Sequence, residues 1–373
     1  MSTFLAKPER IGAGIPLAVK DLFDTAGLRT TYGSTLFANH VPQRSAEAVL
    51  RLEAAGYTNV GKTNLHEFAY GISSYNPHFG EVPNPLAPER TAGGSSAGSG
   101  AALAQGLADA ALGSDSGGSV RIPAACCGVV GFKPSRGLVP LDGCFPLAPS
   151  FDHAGPMARN VEGCARMLEA LVPSFERAGL RALEELEVGV AWLELADPLV
   201  RTRVQAAAGF FPRRRRVAFP FPERIGAVFM REAAASHRGL FPEHADAYGE
   251  NVRAKLERCL ALTGAEFEAA RRRLDEYRER AAEAIEGLEL LVTPTLAFVA
   301  PPAFRDDLEI RDAVLRFTYP FNALGWPALA LPCGSAEDGL PASVQLVAPF
   351  GEDARVIAAG ALLERALALQ ESS

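Results

Sequence analysis

Lysine is almost missing from this chain. Of 37 lysines and arginines only five are lysine, which leaves 32 arginines among 373 residues. The imbalance reads as coding bias toward GC-rich codons, and it makes Lys20, Lys62 and Lys133 worth inspecting one by one. Metal-binding patterns are missing too. There is no H-E-x-x-H, and His40, His66, His78, His153, His237 and His244 are scattered, so neither a metal nor another cofactor is expected. None of the six cysteines forms a C-x-x-C pair. Reduced, buried thiols are therefore the default. The N-terminal stretch lacks the apolar run of a signal peptide. The longest uncharged stretch, 317–336, is broken by Pro320, Gly325, Pro327, Pro332 and Gly334 and cannot form a membrane-spanning helix. A cytoplasmic protein without membrane contact is expected. A net charge of −7 argues against a nucleic-acid partner. The single dense basic run, Arg213–Arg216, reads as a solvated patch.

What is present is ordinary globular composition, 48% apolar and 22% charged. The first half alternates short apolar runs with helical stretches. Strands are expected at Ile15–Val19, Thr58–Val60, Ala110–Gly113 and Val129–Lys133, and helices at Ser45–Ala55 and Ala97–Leu107. From Asn160 to about Gly287 the pattern is mostly helical, with one long helix over Glu266–Gly287 and short strands at Val188–Trp192 and Arg216–Ala218. Strand signals return at Leu288–Val292, Ala328–Leu331 and Ser343–Val347, before a closing helix from about Glu352 to Leu369. This pattern predicts an α/β sandwich: a mixed, largely parallel sheet covered by helices. The expected organisation is a single domain over 1–373, with a core of 14–159 and 288–373 and a helical insertion at about 160–287.

The chemistry concentrates between Thr91 and Ala124, where TAGGSSAGSG and GSDSGGSVRIPA flank an apolar helix. Neither glycine turn has the lysine of a phosphate-binding loop. Backbone N–H groups of Ser116, Gly117, Gly118 and Ser119 can converge on a developing oxyanion, with Ser119 as attacking group. Asp115 and Arg121 flank that turn and are expected to support it. A serine nucleophile needs a base. Lys20 ends an apolar strand, where burial lowers a lysine's pKa and frees the amine; the alternative is a plain ion pair with Asp21 or another acid.

GIPLAVKD, GGSSAGSG and GSDSGGSVRIPA resemble the motifs of the amidase signature family. GKTNLHEFAYG, GFKPSRG, FNALGWPALALPCG and GLPASVQL support the likeness over nearly the whole chain. Ser95 and Ser119 lie 24 residues apart, as the family's two catalytic serines do. The resemblance implies that Ser119 attacks an amide carbonyl and that Lys20 is the base. Ser95 would relay the proton through a residue whose peptide bond is cis. The acyl group then leaves with water. The implied reaction releases acid and ammonia or amine from a small-molecule amide.

Three departures stand out. Ala97, Gly100 and Ser114 replace residues that are usually Gly, Ala and Thr in the family. Only about 13 residues precede the GIP motif, and the middle is shorter than typical. A homodimer is a candidate assembly. Tyr70, Gly71, Ile72, Ser73 and Phe145 are the expected substrate contacts, and the FAYG stretch resembles arylacetamide and indole-acetamide hydrolases. Two other functions compete. The chain could be the A-type component of a glutamine-dependent tRNA amidotransferase. Alternatively, Gly94-Ser95-Ser96-Ala97-Gly98 fits G-x-S-x-G, which would make Ser96 the nucleophile with His153.

Overall fold

The computed structural model describes residues 2–371. Within them the strands are β1 Phe4–Ala6, β2 Ile15–Lys20, β3 Tyr57–Thr63, β4 Tyr75–Asn76, β5 Gly80–Glu81, β6 Ala110–Ser114 and β7 Val130–Lys133. They continue as β8 Ala154–Ala158, β9 Val188–Val190, β10 Arg214–Arg216, β11 Leu290–Pro294, β12 Ala328–Ser335 and β13 Pro341–Val347. The helices are α1 Glu47–Ala54, α2 Ala97–Ala104, α3 Arg121–Cys127, α4 Val161–Leu171, α5 Pro198–Gly209 and α6 Gly226–Ser236. Then follow α7 Glu250–Leu260, α8 Gly264–Ala284, α9 Arg311–Leu315, α10 Tyr319–Leu324 and α11 Asp353–Glu371.

Eleven strands form one sheet, ordered β1-β3-β2-β6-β8-β7-β12-β13-β11-β9-β10, with β4 and β5 apart as a small hairpin. The sheet is mixed, as expected. Its parallel pairings form two flanking blocks, β3-β2-β6 and β11-β9-β10, with antiparallel pairings between them. The first block explains the reading from sequence: all of β6 and the last four residues of β2 are buried. A parallel strand buried on both faces reads as an unbroken apolar run. The middle of the chain both builds a helical layer and adds β9 and β10 to the far end of the sheet.

Two strands of the large sheet, besides the β4–β5 hairpin, were not foreseen. β1 is three residues long, and β8, AGPMA, lies between β6 and β7 with Pro156 opposite Leu112. Proline in a central strand removes a ladder donor, so the sequence argues against a strand there. The strand expected at Arg216–Ala218 forms at Arg214–Arg216, because Arg214 pairs with Val188 of β9. Three exposed arginines on this edge strand discourage pairing with another chain, consistent with a solvated patch. The long helix α8 starts at Gly264, two residues before expected. Thr263 caps it: its Oγ accepts from the Glu266 N–H at 3.2 Å, and the Glu266 carboxylate accepts from the Thr263 N–H at 2.9 Å. No helix among the described residues is long and apolar enough to cross a membrane.

Candidate active site

Three neighbouring segments of the first parallel block deliver the site. β2 ends in Lys20, β6 ends in Ser114, and Ser95 precedes the fully buried start of α2. The Lys20 side chain is wholly buried. Its Nζ donates to Ser95 Oγ at 2.7 Å and to Ser114 Oγ at 2.8 Å. Burial pushes the Lys20 pKa down to about 7, against the opposing pull of Cys144, Asp115 and Asp152. No ion pair joins Lys20 to Asp21 among the described residues. Asp21 instead lies 3.4 Å from Lys62 and accepts from Thr31. Lys20 is therefore a desolvated amine in hydrogen-bond contact with a hydroxyl, free to exchange a proton near neutrality.

The Gly94–Ser95 peptide bond is cis. A side chain at Gly94 would put its Cβ 2.3 Å from the Ser73 carbonyl oxygen and 2.8 Å from the Ile72 carbonyl carbon, so only glycine fits there. Ile72 and Ser73 thus form the wall behind Ser95. Gly71 packs on the His66 ring. These three line neither cavity described below.

The turn 115–119 is held from both sides. Asp115 Oδ1 accepts from the Gly118 N–H at 2.7 Å, and Arg121 reaches both carboxylate oxygens at 3.0 Å. Burial alone would raise the Asp115 carboxyl, but Arg121, Lys133 and Asn322 hold it well below the usual carboxylate range. Far along the chain, Asn322 of α10 donates to the Asp115 carbonyl and carboxylate at 2.9 Å, and Thr318 donates to the Gly117 carbonyl at 2.7 Å. Gly118 has φ +138°, and a Cβ there would meet Thr318 Oγ1 at 2.3 Å. Ser116 Oγ donates to Asp152 at 2.5 Å.

The Gly118 N–H is thus engaged by Asp115, which removes it from the four donors expected to face an oxyanion. The N–H groups of Ser116, Gly117 and Ser119 carry no hydrogen bond among the described residues. Neither does the Ser119 hydroxyl, although the residue is only 5% exposed. The elbow alternative has no geometric support. Ser96 Oγ donates to the Ser114 carbonyl at 3.2 Å, and His153 Nδ1 faces the carbonyls of Phe151 and Asp115. No hydrogen bond joins Ser96 to His153 among the described residues.

Two cavities lie near this turn: the smaller reaches it through Ser114 and Ser116, and the larger is separated from it by Leu315 and Tyr319. The larger, about 860 Å³, is lined by Tyr70, Leu315 and Tyr319 among others. Leu315 and Tyr319 also cover Gly117, at 3.3 and 3.6 Å from where its Cβ would be. The smaller, about 140 Å³, is lined by Phe145, Cys144, Leu147, Ser114 and Ser116. Of the expected substrate contacts, Tyr70 and Phe145 therefore face open volume. Ser114 was missed as a Lys20 partner. A hydroxyl residue ending a buried strand, just before Asp115, was the available signal. Among the described residues no group of three or more His, Cys, Asp or Glu side chains is placed to hold a metal ion.

A buried amine on a serine hydroxyl, beside a glycine-rich turn with unpaired N–H groups, is an arrangement suited to acyl transfer. The chain belongs to the amidase family, whose family model matches residues 5–180 and 222–357. It is 38% identical to the A-type component of the glutamyl-tRNA(Gln) amidotransferase of Thermus thermophilus, over 98% of this chain and 88% of that protein. A crystal structure of an amidase superposes with TM-score 0.86 at 37% identity, over 94% of this chain and 84% of that one. The structure of 6-aminohexanoate cyclic dimer hydrolase complexed with substrate superposes with TM-score 0.85 at 27% identity, over 98% of this chain and 89% of that one.

Proposed function

We propose that the chain hydrolyses a carboxylic amide through an acyl-enzyme on Ser119. The observation that carries this is the contact between a buried Lys20, titrating at about 7, and Ser95. Ser119 Oγ attacks the carbonyl carbon while its proton passes through the Ser95 hydroxyl to Lys20 Nζ. The oxyanion accepts hydrogen bonds from the N–H groups of Ser116, Gly117 and Ser119. When the tetrahedral centre collapses, the C–N bond breaks and the departing nitrogen takes the proton back through Ser95. Water then attacks the ester by the same relay, releasing the acid and restoring Ser119. Each oxyanion donor of this kind is typically worth ~10²–10³ in rate. The test is a panel of amides scored for ammonia or amine release, with a fluorophosphonate probe for Ser119. Ser119→Ala should lose both turnover and labelling. Labelling that persists in Ser119→Ala would place the nucleophile elsewhere.

A second reading is favoured by the names of the curated relatives, of which the Thermus thermophilus protein covers 98% of this chain. In it the chain is the A-type component of a glutamine-dependent tRNA amidotransferase and releases ammonia from glutamine by the same relay. Co-purification with the other components of such a complex, or glutaminase activity that rises on adding tRNA, supports that reading. Full amidase activity of the isolated chain, unchanged by tRNA, supports the stand-alone enzyme.

A further inference from the structure

The large cavity carries a charge that the chain as a whole does not. Its lining includes Arg224, Lys255, Arg258, Arg311 and Arg316 but only one acid, Asp312, in a protein of net charge −7. Arg224, Arg258 and Arg316 make no ion pair among the described residues and stand exposed at the rim. Deeper in, Lys255 and Arg311 share a single buried counter-ion, Asp307, and that carboxylate is already committed. Its Oδ1 accepts from Lys255 at 2.6 Å and from Asn251 at 3.0 Å, and its Oδ2 accepts from the Ile72 N–H at 3.0 Å. Arg311 Nη1 lies 3.6 Å from Oδ2, too far for a hydrogen bond. Nη1 and the Tyr319 hydroxyl are both buried without a hydrogen-bond partner.

Two donors buried and unpaired on residues that line one cavity are costly unless a ligand that reaches them satisfies them. A guanidinium N–H and a phenol O–H match the two acceptor oxygens of a carboxylate. The Tyr319 ring edge also covers Gly117, so this ring stands between the cavity and the turn that leads to Ser119.

We propose that this cavity selects amides that carry a carboxylate, held by Arg311 and Tyr319 and drawn in by the arginines of the rim. The proposal rests on the amidase reading above and names its substrate class. Cationic rims raise the local concentration of anions, and charge-assisted hydrogen bonds in a desolvated site separate charged from neutral ligands by at least about tenfold.

The test uses Ser119→Ala, so that binding is read without turnover. Calorimetric titration with glutaramate should give a dissociation constant at least about tenfold lower than with pentanamide, its neutral analogue of similar length. Arg311→Met should erase that preference. Tyr319→Phe, which removes one hydroxyl and leaves the ring packed on Phe151, should reduce it several-fold with the melting temperature not lowered. Comparable affinity for the two ligands overturns the proposal, as does a preference that survives both substitutions. Wild-type turnover of pentanamide with Ser119 labelling would then leave the amidase reading standing. Selective binding of glutaramate without any amide turnover would do the opposite.

Discussion

Replacing Lys20 with methionine should inactivate the enzyme without weakening the fold at neutral pH. An ordinary lysine titrates near 10.5 and Lys20 near 7. At about 1.4 kcal/mol per pH unit, protonating Lys20 in the folded state costs about 5 kcal/mol more than in the unfolded chain. The direction follows from proton counting. Between pH 7 and 10.5 the unfolded chain holds the proton that the folded protein has released, so wild-type stability rises with pH across that window. The cost is about 4 kcal/mol at pH 7 and about 2 at pH 9. Methionine abolishes it but strands the hydroxyls of Ser95 and Ser114, at about 1–3 kcal/mol each. The two effects come close to cancelling at neutral pH. The loss of hydroxyl partners does not vary with pH, whereas the lysine cost does. At ~2.1 cal/mol/K of unfolding entropy per residue, a change of about 2 kcal/mol in a chain this long is about 3 °C. The melting temperature of Lys20→Met relative to wild type should therefore fall by about 3 °C between pH 7 and pH 9. Differential scanning calorimetry at the two pH values measures this. In parallel, wild-type turnover should follow the neutral fraction of Lys20, about one-tenth at pH 6, one-half at pH 7 and nine-tenths at pH 8. A melting difference that does not vary with pH, together with a rate flat from pH 6 to 8, would refute the assignment of Lys20 as a desolvated base.

Arg121→Met should destabilise the protein by about 3–5 kcal/mol, because it leaves the buried Asp115 carboxylate without its counter-charge. Without Arg121 the Asp115 pKa rises above its unfolded value, so in denaturant melts the deficit should shrink as the pH falls toward 4. Gly118→Ala forces a side chain into a conformation costing roughly 1–3 kcal/mol and against Thr318. Turnover should drop by at least ~10²-fold while fluorophosphonate labelling slows in step. Wild-type kinetics in that variant would show that the turn does not position the reaction. Overnight dialysis against EDTA should leave amide hydrolysis unchanged, and a loss restored by zinc would point to chemistry other than the serine relay.

The parts of the site that were legible in the sequence are those at the ends of doubly buried strands. IPLAVK and AALGS are unbroken apolar runs, and each ends at a polar residue that faces the site. The glycine turn after β6 was equally visible, since Gly117-Gly118 beside two serines fits little else. Illegible were the contacts that close over long loops. Thr318 and Asn322 lie about two hundred residues beyond the turn they hold, and no local period announces such a pairing. The cationic cavity was hidden for a related reason. Arg224, Arg258, Arg311 and Arg316 are dispersed among 32 arginines, and only the folding of α6, α7 and α9 toward one another gathers them. β8 was missed because Pro156 contradicts the usual rule for a central strand.

The stretch 311–324 works in two directions at once. Arg311, Leu315 and Tyr319, spaced four apart, look into the large cavity. Thr318 and Asn322, also four apart, grip the turn on the other side. Under the proposed reading, recognition and reaction are thus governed by one short piece of chain, like two faces of a key cut from the same blank. The cavity can be recut for charge at 311, away from the turn, whereas changes at 315 and 319 also alter the cover over Gly117. New specificities on this scaffold should therefore arise most readily by exchange at 311, with Thr318 and Asn322 left unchanged.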